Sequence, residues 1–114
     1  MGYTNYWTQT RDFTEKEWKQ IKSEAHYVKD IDKEYALKNV VIDNDQVLFY
    51  GDCETFRLYK KIENNKIEGY EEQDITFNCC KTRECPYDLA VWHMLVFCAG
   101  MINNTKEFNI SRDR

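Results

Sequence analysis

The chain has 114 residues, a formal net charge of −4, 32% charged residues and 15% aromatic residues. That length suits one domain with one modest core. The acidic balance excludes a general nucleic-acid binder, which needs a basic stripe to displace counterions. No apolar run is long enough to span a bilayer.

Residues 2 to 8 alternate and are rich in Tyr, Thr and Trp, which predicts a strand with Tyr3, Asn5 and Trp7 on one face and Thr4, Tyr6 and Thr8 on the other. The start has neither a basic segment nor an apolar run of signal-peptide length, and bulky Tyr3 argues against lipidation at Gly2. Thr14-Glu15-Lys16-Glu17 is a capping box, and Phe13 with Trp18 makes a hydrophobic staple around it. Trp18, Ile21, Ala25 and Val28 continue at helical spacing, which predicts an amphipathic helix with a lysine-rich solvated face.

Residues 30 to 39 read as a loop or helix end. Val40 to Ile42 and Gln46 to Tyr50 read as strands around an Asp43-Asn44-Asp45 turn. Gly51-Asp52 reads as a turn or bulge, Glu54 to Ile62 as a strand, residues 63 to 73 as turn and polar loop, and Asp74 to Cys80 as a strand. From Pro86 to about Asn103 the chain is apolar on most faces, the mark of a buried helix, and Pro86 fits a first helical position. Phe108 to Ile110 completes the order as a short strand. The expected fold is α+β: one mostly antiparallel sheet of about five strands, with two helices packed on one face. The strongly apolar second helix also predicts a homo-oligomer.

Chemistry concentrates between Phe77 and Asp88. Lys81, Thr82 and Arg83 precede a helix start, where free N–H groups and the dipole favour an anion. With the N–H groups of Tyr87 and Asp88 they could form an anion cradle; equally, they could be a solvated turn with Thr82 as cap. The Asp88 carboxylate could steady the first helical turn or receive a ribose hydroxyl or base amine. Tyr3, Tyr6 and Tyr87 could belong to the core or form a stacking wall for a flat ring. Glu54, charged and at the start of a strand, could face water, pair with Lys81 or serve the same ligand. Arg112, close to the end of the chain, completes the candidate set.

The five cysteines, an odd number, point to reduced thiols in a cytoplasmic setting. Cys79, Cys80 and Cys85 lack zinc-site spacing, and neither His26 nor His93 supplies it, so no metal or other cofactor is expected. Cys80 or Cys85, near a helix start and Lys81, could carry a lowered pKa, and Glu54 could act as a general base, which keeps a small hydrolase or transferase using Cys80 or Glu54 among the alternatives. No Ser-His-Asp grouping or phosphate-binding glycine loop accompanies them.

Three segments carry a family resemblance. Residues 1 to 7, Met-Gly-Tyr-Thr-Asn-Tyr-Trp, resemble the MGYTHYW start of a family of small proteins of bacteriophages and bacteria. Phe77 to Asp88 is similar, without gaps, to that family's F-x-F-C-K-T-x-x-x-P-Y-D segment, and Glu54-Thr55-Phe56 to its E-T-F strand. Asn5 stands where the family has His, and Cys79 where it has an aromatic residue. The resemblance implies a phage-type accessory protein acting in the cytoplasm of a bacterial host and carries over no activity. The expected function is binding of a small anionic, nucleotide-derived ligand, sequestering a host immune signal without turnover. The alternative is a protein–protein inhibitor of a host defence component.

Overall fold

The computed structural model describes residues 4–31 and 35–113. The chain runs β1 (Thr4–Gln9), α1 (Glu15–Asp30), β2 (Asn39–Ile42), β3 (Gln46–Tyr50), β4 (Phe56–Tyr59), a 3₁₀ turn (Ile62–Asn65), β5 (Phe77–Lys81), α2 (Asp88–Ile102) and β6 (Phe108–Asp113).

The α+β class holds, but the single sheet of about five strands is replaced by two antiparallel sheets of three strands each. β2-β3-β4 is a meander whose strands are close in sequence. β5-β1-β6 has β1 at its centre, with Asn5 opposite Cys80 on one side and Arg112 on the other. Local turn signals disclose a meander; nothing local joins β1 to strands more than 65 residues away, so consecutive reading merges the two sheets. The strand expected from Glu54 to Ile62 shortens to Phe56–Tyr59, followed by the 3₁₀ turn, while the last strand extends three residues past Ile110 to Asp113.

The capping box forms as the sequence predicts. Thr14 Oγ1 accepts from the Glu17 N–H at 3.1 Å, and Glu17 Oε1 accepts from the Thr14 N–H at 2.9 Å. The Phe13 and Trp18 rings stack with centroids 5.9 Å apart. Arg11 grips Glu17 through two guanidinium nitrogens at 2.7 and 3.0 Å and reaches Glu107 with its Nε at 3.1 Å. The Arg11 hydrogen bonds hold the Glu17 carboxyl down at about 2.

α1 turns Trp18, Ile21, Ala25 and Val28 inward, and Trp18 Nε1 donates to the Asp43 carbonyl at 3.1 Å, tying the helix to the β2–β3 turn. α2 lies beside α1 and against β1 and β6. Its regular part begins at Asp88, two residues after Pro86, because a tight turn precedes it: the Asp88 N–H donates to Cys85 O and the Leu89 N–H to Pro86 O. It ends at Asn103, whose left-handed backbone (φ 51°) caps the last turn. Trp7 and Phe56, with ring centroids 5.3 Å apart, join the two sheets through one core. Gly51 is demanded by that core, since a Cβ there would meet the Tyr87 ring carbons at 2.4–2.5 Å.

Candidate functional site

The eight candidate residues within the described part of the chain do not line one common site. Three of them, Thr82, Asp88 and Arg112, meet each other instead. Asp88 opens α2 and Arg112 projects from β6 across the inner face of β1, where Asn5 stands between them. Asn5 Nδ2 donates to Asp88 Oδ1 at 2.8 Å, Thr82 Oγ1 donates to the same oxygen, and Arg112 Nε donates to Asn5 Oδ1 at 3.1 Å. Arg112 also forms an ion pair with Asp88 Oδ2, and its guanidinium lies 4.6 Å from the Trp92 ring centroid. The side chains of Arg112 and Asp88 are 10% and 5% exposed. In this network the Asp88 and Arg112 charges meet each other inside the protein, the condition under which charges tolerate burial. Thr82, Asp88 and Arg112, expected as ligand contacts, here join β1, β6 and the start of α2.

Of the two readings of Tyr87, the structure has it in the core. Its ring is fully buried rather than part of a stacking wall, and its hydroxyl donates to the Glu54 carbonyl at 2.6 Å. Burial pushes this phenol well above its usual range. Tyr6 lies on the outer face of its sheet, stacked on Phe77 at 6.0 Å between centroids. Tyr3 lies outside the described residues. Lys81 and Arg83 are exposed and, among the described residues, form no ion pair; Arg83 takes a left-handed backbone with φ 55°. The expected anion cradle is not assembled around them, because the Asp88 N–H is taken by Cys85 O and a buried carboxylate already occupies the helix start.

Glu54 has a structural task. Its carboxylate accepts from the Lys81 backbone N–H at 2.7 Å, while its own N–H donates to Lys81 O at 3.1 Å. These two bonds pin the end of β5 to the segment before β4. Cys80 is fully buried, and burial pushes its thiol up to about 12, the opposite of what a nucleophile requires. Cys80 is therefore unsuited to the nucleophile's part in the enzyme reading.

The two sheets touch at Glu54–Lys81 and then diverge, leaving a groove of about 560 Å³ between the outer edges of β4 and β5. Trp7 forms its floor. Arg57 and Tyr59 line it from β4, Phe77, Asn78 and Cys79 from β5, and Asn64, Asn65, Lys66 and Gln73 from the connection between those strands. The far end is held by side-chain amides: Asn65 Nδ2 donates to Ile75 O at 3.0 Å, Gln73 Nε2 to Asn65 O at 2.7 Å, and Gln73 Oε1 accepts from the Ile67 N–H at 2.7 Å. Neither Arg57 nor Lys66 forms an ion pair with a described residue.

Of the sequence candidates among the described residues, only Glu54 lines this groove. Arg57, Lys66 and the amides were not singled out, since scattered polar residues in a strand and a polar loop look like solvated surface. Asn5 did carry a signal: it shares its inward face with Trp7 and Gln9, and a polar residue at a core position demands partners. Among the described residues no helix is long and apolar enough to cross a membrane. No family model, curated protein or solved structure matches the chain.

Proposed function

We propose that the protein binds a small anionic, nucleotide-derived ligand in the groove between β4 and β5 and releases it unchanged. The observation that carries this reading is the pair of cations at the groove, Arg57 and Lys66, neither in an ion pair with a described residue, on a chain whose net charge is −4. Local positive charge on an acidic protein concentrates anions at one place, and a guanidinium suits phosphate or carboxylate through its planar fork of donors. Asn64 and Asn78 offer both donors and acceptors to a heterocycle edge, and Tyr59, Phe77 and Trp7 supply apolar surface. The volume lies within the range of about 300–1,000 Å³ common for small-molecule clefts. In the phage-type setting implied by the family resemblance, such binding sequesters a host immune signal by occupancy alone.

The test is a thermal-shift series with mono-, di- and cyclic nucleotides, and mass spectrometry of small molecules released on denaturing protein incubated in bacterial lysate. A released, unmodified nucleotide and a stabilisation abolished by Arg57→Ala are expected. An unchanged melting temperature across the panel, with nothing released, refutes the reading.

A second reading, inhibition of a host defence protein, is favoured by the segment 67–72. There Ile67 and Tyr70 are 57% and 66% exposed among Glu68, Glu71 and Glu72, and exposed aromatic residues are enriched at protein interfaces. A stoichiometric partner recovered from host lysate, and lost on Tyr70→Ala, distinguishes it.

A further inference from the structure

α2 is apolar all round, yet one of its faces is uncovered. Leu89 is 58% and Val96 47% exposed, and Gly100 lies on the same face; His93, between them, is half-buried and reaches across to α1, where its Nε2 meets Glu24 Oε2 at 2.6 Å. At 3.6 residues per turn these four positions fall within about 60° of each other, a single stripe along the helix. Gly100 is the instructive member. Its backbone is helical with no positive φ, so the conformation does not require glycine. A Cβ there would meet nothing within 4 Å, so packing inside the chain does not require it either. Glycine is nevertheless a poor helix residue, and one reason for its presence is close approach of something from outside.

Over Gly100 lies a hollow of about 500 Å³, lined by Lys16, Glu17 and Gln20 of α1 and by Val96, Phe97 and Met101 of α2. Eleven residues away, about 16 Å along the same face, Leu89 projects into solvent. Knob and hollow are equidistant from a point midway between His93 and Val96. A two-fold axis through that point, perpendicular to the helix, therefore places each Leu89 over the Gly100 of the other copy. Such an arrangement is self-complementary, as an isologous contact must be. It also sets the positive N-terminal end of each helix beside the negative C-terminal end of the other, and α2 has no basic residue of its own in its last turn.

From these features, independently of what the groove binds, we infer that the stripe Leu89–His93–Val96–Gly100 is the interface of a two-fold homodimer with antiparallel α2 helices, Leu89 of each chain filling the hollow over Gly100 of the other.

Light scattering on a size-exclusion column, over a dilution series, measures the mass of the wild type and of Leu89→Glu and Gly100→Glu. Both positions are open in the single chain, so each variant is expected to keep the wild-type circular dichroism spectrum. The expected wild-type mass is twice the 13.8 kDa of one chain, and each variant is expected to fall to one chain. A wild type that stays at one chain at the highest concentration, or a dimer that survives either substitution, overturns the inference.

Discussion

Replacing Asp88 by Asn tests whether the Asn5–Thr82–Asp88–Arg112 network is a desolvated structural element. The substitution keeps the shape of the side chain and removes only its charge. Arg112, 10% exposed and packed over Trp92, then loses the Asp88 carboxylate from its buried surroundings. Removing one member of a buried pair costs about 3–5 kcal/mol, because the survivor stays desolvated. That is a large part of the roughly 5–15 kcal/mol that holds a domain of this size together. With about 4 °C lost per kcal/mol, the melting temperature is expected to fall by roughly 12–20 °C. Urea unfolding followed by Trp fluorescence supplies the free energy, with an unchanged m-value showing that only stability has moved. Arg112→Met removes the other partner and should likewise destabilise, and the double change Asp88→Asn/Arg112→Met should recover part of the loss, with a coupling of about 0.5–3 kcal/mol. If Asp88→Asn costs below about 1 kcal/mol, the pair behaves as a surface ion pair, and the argument from burial is refuted.

Three further outcomes follow from the same structure. Gly51→Ala forces a methyl group into the Tyr87 ring and should destabilise by about 1–3 kcal/mol, as overpacking does; an unchanged urea midpoint would show that the ring moves aside. The Glu17 carboxyl is held down at about 2, from an ordinary 4.5, by Arg11. The folded state thus binds this proton less readily than the unfolded one, so the stabilisation is complete above pH ~4.5 and lost as pH falls towards 2. Over that window the wild type should lose more stability than Glu17→Gln, and parallel profiles from acid titration of the urea midpoint would contradict this. Finally, exposed Cys79 should react with a maleimide at neutral pH while Cys80 and Cys98, buried and with thiols pushed up, resist until unfolding; peptide mapping that finds Cys80 labelled in the native protein would mean that β5 opens.

Much of this protein was determined by its sequence alone, and the determined parts are local. The capping box and staple at Phe13–Trp18 lie within six residues, so their geometry follows from spacing once the helix forms. The inward stripe of α1 and the β2–β3 turn are equally short-range, as is the left-handed stop at Asn103. Tertiary structure decided what joins residues far apart. Asn5, Asp88 and Arg112 span 107 positions and meet only because β1 lies between β5 and β6. In the sequence, Asp88 and Arg112 looked like ligand contacts, because an isolated charge gives no sign of whether its partner is solvent, ligand or another buried side chain. The groove was illegible for the complementary reason: it is a gap between two sheet edges, and a gap has no residues of its own. Arg57 and Lys66 became distinctive only once folding placed them at that gap with no acidic partner among the described residues. Local free energies of turns and helix caps are written in adjacent residues, whereas the pairing of buried charges and the divergence of two sheets depend on which distant surfaces are brought into contact.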